Sequence, residues 1–540
     1  MLKNHPIAPP LKSHVVGNDT LSKGTAPFDI HAVKAFVFQA LDREQYELAR
    51  QAAGAAIAGG AKDDILCYLH AYAIERLGDL PHAMRLAQEY LDTARTEVRK
   101  EFLQLRASVA YRIGDPQAAA FYYAAYEEEP LNTALYSSFL LAQNAQDVDV
   151  AEFFRAHCVF DQFFKDVPQY AHTVSYAHQR IRVGYLSPDF RRNVMQNFVQ
   201  PLLLGYDRTS FAVYAYSLTE EPDDVTEALR SYADVWRDVG DAPAAETAAR
   251  IRADEIDVLF DLGGHTDGGM TLMVLARRPA PVQLSGIGWF ATTGVDFVDG
   301  FLTDDVLSPA GAEEFYSEQL LRLPHAFHFT PDAAMRASAV AERPADAPVT
   351  FGVFQNFMKI NEESLKVWGR ILKKLPQAQL ILQDAAVDSP LRVTTILEMI
   401  EGLKLPAKRI FVRTGRRDYL GDYGDIDIAL DTFPYTGGAS TATALYMGVP
   451  VITLRGETHH AARLGASMLT AAGKTEWIAE DVRAYENLAV RMAEEIAAVR
   501  ASRAALRTKV EKSALMDGGA YLAAFMDEIE RLWAEGDVGR

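Results

Sequence analysis

Two hydrophobic periods divide the chain. From about residue 28 to 165 apolar residues recur at three- and four-residue spacing and alanine is frequent, which predicts helices throughout. At residue 180 the pattern changes. Arg180-Ile181-Arg182-Val183-Gly184-Tyr185-Leu186-Ser187 alternates like a strand, and further apolar strands are predicted at 212–216, 257–262 and 282–286. Helical stretches at 223–234 and 244–254 fall between some of them. A polar, Ala/Pro-rich break covers 331–347, after which strands are predicted at 350–354, 379–382, 410–412, 426–430 and 451–454. Strands alternating with helices indicate parallel sheets, so two such series joined by one break predict two Rossmann-like lobes facing across a cleft. Residues 485–535 read as terminal helices, and residues 1–27, polar and aperiodic, as a flexible arm.

The helical region contains a repeat. Leu77-Gly78-Asp79 is followed by Ala83 and Ile113-Gly114-Asp115 by Ala119, and a weaker copy runs from Asp42 through Glu44 and Tyr46 to Ala49. The alignment of Glu44, Gly78 and Gly114 gives a spacing close to the ~34-residue period of tetratricopeptide helix pairs. The glycine ends the first helix and the small alanine lets the second pack close. Such repeats present a concave surface to a peptide or protein. The domain expectation is therefore an arm (1–27), repeats (28–170), a first lobe (171–335), a second lobe (348–484) and closing helices (485–540).

Composition narrows the function classes. The 540 residues carry a formal net charge of −19, which argues against broad nucleic-acid binding. The sequence has no ~18-residue apolar run to span a membrane and no h-region of a signal peptide. The two cysteines, Cys67 and Cys158, lack CxxC spacing, which excludes a disulfide framework and a cysteine zinc site and suits a reducing cytoplasm.

Walker A, HExxH and GxSxG signatures are absent, and Gly286-Ile287-Gly288 is only a GxG fragment. Asp425-Ile426-Asp427 forms a DxD string of the kind that holds a nucleotide diphosphate through a metal, but it opens an alternating strand and reads as a strand start. The most informative segment runs from Asp431 to Pro450: a strand end, a glycine loop (Gly437-Gly438), small residues (Ala439, Ser440, Thr441) and an apolar helix. Free amides and the helix dipole at such a start make an anion site; an ordinary capped helix after a tight turn would read the same way.

This segment, with Val451 to Thr458 and Arg463, resembles the catalytic region of glycosyltransferase family 41, the protein O-GlcNAc transferases and their bacterial relatives. Ser187-Pro188-Asp189-Phe190-Arg191, Asp261 to Thr266, Arg278 to Gln283 with Thr292-Thr293-Gly294, and Phe354 to Ile360 resemble other motifs of that family in the same order. Ala151 to Phe164 and Leu506 to Trp533 resemble its flanking helices. The resemblance implies an α-helical repeat region followed by a GT-B fold with C-terminal helices. It implies an inverting, metal-independent transfer of a sugar, by default from UDP-GlcNAc, to Ser/Thr of a protein, with no cofactor beyond the nucleotide-sugar. Lys359 would neutralise the leaving diphosphate, with Asn356, the amides of Gly438 to Thr441, and Arg463 as further contacts. His265, in a loop at a strand end, is a candidate for acceptor or sugar contact, and Asp189 for donor contact.

Four positions depart from the family pattern. Asn193 stands where the family places a histidine, and an amide cannot act as a general base. Tyr419 replaces a second histidine and could stack on a nucleobase. Thr443 replaces an acidic residue expected at the ribose, and Thr436 an asparagine before the two glycines. These changes admit two alternatives: another activated sugar, such as a CMP-linked nonulosonic acid carried to flagellin, or a repeat scaffold whose catalytic region has degenerated.

Overall fold

The computed structural model describes residues 29–538 except 93–95, 173–175, 177, 388–389, 417 and 457–458. The expected arm (1–27) and the motif residues Glu457 and Thr458 lie outside the described residues.

Eight helices lead the chain: α1 (Ile30–Asp42), α2 (Tyr46–Ala58), α3 (Asp64–Arg76), α4 (Leu80–Leu91), α5 (Thr96–Ile113), α6 (Ala118–Glu128), α7 (Thr133–Gln143) and α8 (Val150–Cys158). Successive helices pack pairwise around a core in which alanines such as Ala49, Ala83 and Ala119 are buried at the contact points. The three aligned positions do the same job. Glu44, Gly78 and Gly114 all adopt positive φ, at 57°, 86° and 77°. In each case the next amide reaches back to a carbonyl of the last helical turn: Gln45 to Ala40, Asp79 to Ile74 and Asp115 to Ala110. That bond closes the helix and turns the chain. Glycine takes this conformation freely, whereas Glu44 takes it against its Cβ.

Seven parallel strands form the first lobe: β1 (Ile181–Ser187), β2 (Phe211–Ser217), β3 (Val235–Asp238), β4 (Val258–Asp261), β5 (Val282–Ser285), β6 (Gly300–Thr303) and β7 (Gln319–Arg322), in the order β3-β2-β1-β4-β5-β6-β7. The second lobe contains β8 (Thr350–Gln355), β9 (Gln379–Val387), β10 (Ile410–Gly415), β11 (Ile428–Leu430), β12 (Val451–Leu454) and β13 (Ile478–Ala479), in the order β10-β9-β8-β11-β12-β13. Both are doubly wound sheets. Strand order reverses between β1 and β4 and between β8 and β11, which is where such sheets open a crevice at their carboxyl ends. The sequence pattern missed β3, β6, β7 and β13.

The polar break is more ordered than its composition suggests. Arg500 donates to the carbonyls of Pro344, Ala345 and Ala347, and both Arg500 and Arg343 clasp the buried Asp427. The DxD string is thus spent at the amino end of β11, with Asp425 paired to Arg413. The closing helix Gly518–Val538 returns to the first lobe, where Phe525 packs on Phe260 and the Tyr521 hydroxyl donates to the Ala326 carbonyl.

The left-handed strain at Glu44 yields a stability test. Glu44→Gly should stabilise the first repeat by roughly 0.5–1 kcal/mol, since the relieved Cβ clash exceeds the added chain entropy; chemical denaturation reads this as a raised midpoint.

Candidate donor and transfer site

The glycine loop is organised by one buried carboxylate. Asp431, at the carboxyl end of β11, accepts hydrogen bonds from the amides of Thr432 (2.9 Å) and Gly437 (2.7 Å), the Thr453 hydroxyl (2.7 Å) and Gln355 Nε2 (3.1 Å). Burial pushes its carboxyl up to about 6, against the pull of these donors and of Lys359. The loop is tight: a Cβ on Gly437 would lie 2.4 Å from Gln355 Nε2 and 2.9 Å from Asp431 Oδ1. Thr436 pins its far side, sharing its hydroxyl with the Ala461 carbonyl and the Gly465 amide.

The helix Ala439–Tyr446 then begins without a side-chain cap on Gly438. Its first internal bond is from the Ala442 amide to the Gly438 carbonyl, so the amides of Gly438, Ala439, Ser440 and Thr441 point out of the helix start. The Thr441 hydroxyl is turned back to the Gly437 carbonyl (3.1 Å), while Ser440 is half-buried at the rim.

Lys359 reaches this loop from the end of β8. Its ammonium donates to the Thr436 carbonyl (2.9 Å) and sits 3.7 Å from the centroid of the Tyr435 ring. Burial pushes it down to about 8, opposed by Asp431. Asn356 begins the turn that carries Lys359, and its Oδ1 accepts from the Met358 amide and from Arg392 (2.7 Å), which leaves its NH2 end facing away from those donors. Lysine, open helix start and glycine loop therefore come together at the β8/β11 switch point, as an anion site requires.

Two of the departures from the family pattern meet. The Tyr419 hydroxyl lies beside Thr443, and the ring stays partly exposed. Across the cleft, Asp189 and Asn193 form another pair at the end of β1: Asn193 Nδ2 donates to Asp189 Oδ1 (2.5 Å), and Asn193 Oδ1 accepts from the Met195 amide (2.8 Å). Burial raises the Asp189 carboxyl above the ordinary range.

Two sequence candidates are placed elsewhere. His265 is fully buried, with Nε2 donating to the Thr293 carbonyl (2.8 Å) and Nδ1 facing the Ser137 hydroxyl (3.1 Å). Phe160 and Trp289 enclose the ring, and burial holds it neutral, so it joins the first lobe to α7 rather than facing the cleft. Arg463 donates to the Val306 and Gly456 carbonyls, tying the two lobes together. Its guanidinium is engaged by backbone rather than turned to the loop. Sequence reasoning missed Asp431 as the organiser of the loop, and missed Gln355, Asp384 and Arg392 behind it. A buried carboxylate at a strand end gives no periodic signal, although Asp431 opens the very segment that stood out.

Paired doubly wound lobes with a phosphate cradle at the second switch point define a GT-B glycosyltransferase fold. The profile described as "Glycosyl transferase family 41" matches residues 150–343 and 332–525, and the chain belongs to that family. It is 32% identical over 390 residues to the tomato (Solanum lycopersicum) protein named as a probable UDP-N-acetylglucosamine–peptide N-acetylglucosaminyltransferase SPINDLY, covering 70% of this chain and 42% of that one. The Arabidopsis thaliana SPINDLY is 33% identical over 363 residues, covering 65% and 39%. The chain thus spans about two fifths of the length of these curated relatives. A solved structure of a lysine-to-methionine mutant of the Thermobaculum terrenum O-GlcNAc transferase superposes with a TM-score of 0.83 at 27% identity, covering 96% of this chain and 99% of that one.

Gly437→Ala tests the loop geometry. The added methyl must displace Gln355 or Asp431, so nucleotide affinity should fall by at least about tenfold, or about 1.4 kcal/mol; calorimetric titration reads it.

Proposed function

We propose that the chain is an inverting, metal-independent protein glycosyltransferase that moves a sugar from a nucleotide donor, by default UDP-GlcNAc, to Ser or Thr of a protein held by the helical repeats. The observation that carries this reading is Lys359 beside the open amides of Gly438 to Thr441, a site whose charge and donors suit a leaving diphosphate. The names of the relatives and of the superposed transferase support the same chemistry.

In this reading the acceptor hydroxyl oxygen attacks the anomeric carbon from the face opposite the diphosphate. The bond from that carbon to the phosphate oxygen breaks, and its electron pair leaves with the nucleotide. Lys359 and the helix-start amides stabilise the charge that builds there, and need no metal to do so. Asn193 has no lone pair basic enough to take the acceptor proton. Asp189, held by Asn193 and raised by burial, takes it instead, so the histidine's replacement shifts the proton rather than ending the reaction. A groove of about 560 Å³ lined by Tyr46, Leu48 and Leu77 on the repeats offers apolar contact for a peptide. No described helix is long and apolar enough to cross a membrane.

The Tyr419–Thr443 pair favours a second reading of the donor. A phenol beside a threonine hydroxyl leaves neither a cation for the base nor a carboxylate for the ribose, so a donor other than UDP-GlcNAc, with a CMP-linked nonulosonic acid for flagellin as one form, fits this edge. A thermal-shift screen against UDP, GDP, CMP and their sugars separates the two, because a ligand bound only by the folded chain raises its melting temperature. Silence across the whole panel, with the protein folded, would leave only a scaffold.

Lys359→Ala should lower transfer by about 10²–10³-fold while the fold persists; unchanged modification of the acceptor would remove the enzyme reading. The pH profile of kcat/KM should be bell-shaped. Its acid limb falls as Asp189 protonates, above the ordinary carboxylate range, and its alkaline limb falls through about 8 as Lys359 loses its charge. Asp189→Asn should abolish activity over the whole range, and a wild-type profile in that variant would reassign the base.

A further inference from the structure

The repeats do more than precede the lobes; the end of α5 is built into the wall of the donor site. Gly114 sits so close to the Lys359 turn that a Cβ there would lie 3.0 Å from Met358 Cα and 3.3 Å from the Phe357 carbonyl oxygen. Met358 itself is buried in the hydrophobic core of the repeats rather than in that of its own lobe. Three residues before Gly114, Tyr111 of α5 lies near Tyr435 and Arg392, and Tyr435 is the ring beneath the Lys359 ammonium.

Arg392 closes the contact. It comes from the helix Pro390–Gly402 of the second lobe and is almost wholly buried. Its Nε donates to the Arg112 carbonyl at the end of α5, and one terminal nitrogen donates to Asn356 Oδ1 (2.7 Å) and to Asp384 (3.4 Å). Asp384 in turn accepts from the Phe357 amide (3.2 Å). A single guanidinium thus holds three groups: the last turn of a repeat helix, the side chain that starts the Lys359 turn, and the carboxylate that receives the turn's first amide. A planar fork can do this, and a point charge cannot.

We propose that Arg392 is a positioning residue for the donor diphosphate, fixing Asn356 and the Lys359 turn against the end of α5, so that the seat of the repeats sets the affinity for the donor's phosphates. The inference rests on the donor-site reading above and adds to it a dependence on the repeat region. Arg392 is enclosed and does not touch the donor; its effect passes through Asn356 and the 357–359 turn. The repeats then serve the transfer even where no acceptor is bound, and a partner that bends α5 changes donor affinity.

The test titrates the full chain with UDP, GDP and CDP, and then with the monophosphate of whichever diphosphate binds best. Arg392→Lys keeps a cation for Asp384 but loses the fork. The expected result is diphosphate affinity weakened by at least about tenfold, with the monophosphate within about threefold and the melting temperature nearly unchanged. Wild-type diphosphate affinity in this variant, or a parallel loss of both ligands, overturns the proposal. Should Arg392→Lys not fold, Gly114→Ala presses on the same turn from the repeat side; its left-handed backbone lowers the melting temperature, and the expected and contrary binding results are the same. A wild-type chain that binds none of the three diphosphates defeats the diphosphate-donor reading on which the inference rests, which is a different failure from intact binding in the variants.

Discussion

The buried carboxylate of Asp431 is the constraint on which the donor site depends. It stands at the end of β11 with no solvent to satisfy it, so it gathers the amides of Thr432 and Gly437, a hydroxyl from β12 and an amide from β8. Gathering Gly437 bends the loop back on itself and aims the next four amides out of the following helix. The same negative charge favours the protonated form of Lys359, against the burial that would strip it. One desolvated group therefore shapes the anion cradle and keeps a cation beside it.

The first lobe repeats the device. Asp261, at the end of β4, accepts from the amides of Gly263 and Gly264 and from the Ser285 hydroxyl at the end of β5. Each lobe thus places a carboxylate at the end of the first strand beyond its switch point, draws in loop amides, and takes a hydroxyl from the neighbouring strand. The consequences differ. In the second lobe the loop opens a helix start toward the cleft. In the first, the loop carries His265 inward, against α7 and α8, where a Cβ on Gly294 would already lie 2.3 Å from the His157 carbonyl. The repeat region is consequently wedged against both lobes, through His265 and Gly294 on one side and Met358 and Arg392 on the other.

Legibility in the sequence follows the range of each interaction. Helix period, strand alternation and the glycine repeat are local, and they sufficed for the repeats and for the two doubly wound lobes. The glycine loop was legible because glycines, small residues and an apolar helix occur in one run. His265 misled because its place, in a loop at a strand end, is the right one for a ligand contact; only the packing of Phe160, Trp289 and Ser137 around it, from three distant parts of the chain, removes it from the cleft. Arg392 carried no signal at all, since its partners Arg112, Asn356 and Asp384 are brought together only by the docking of a repeat helix on the second lobe. The departures Tyr419 and Thr443 were visible singly, but their proximity in the fold was not.

The central claim is that a donor's diphosphate sits on the helix start at Gly438 to Thr441 with Lys359 as its cation. A crystal structure of the chain with its preferred nucleoside diphosphate tests this most directly. The account predicts the terminal phosphate within hydrogen-bond distance of those amides, with the Lys359 ammonium turned from the Thr436 carbonyl onto a phosphate oxygen. A nucleotide bound with its phosphates away from this loop, or with Lys359 still on Thr436 and out of reach of them, would contradict it.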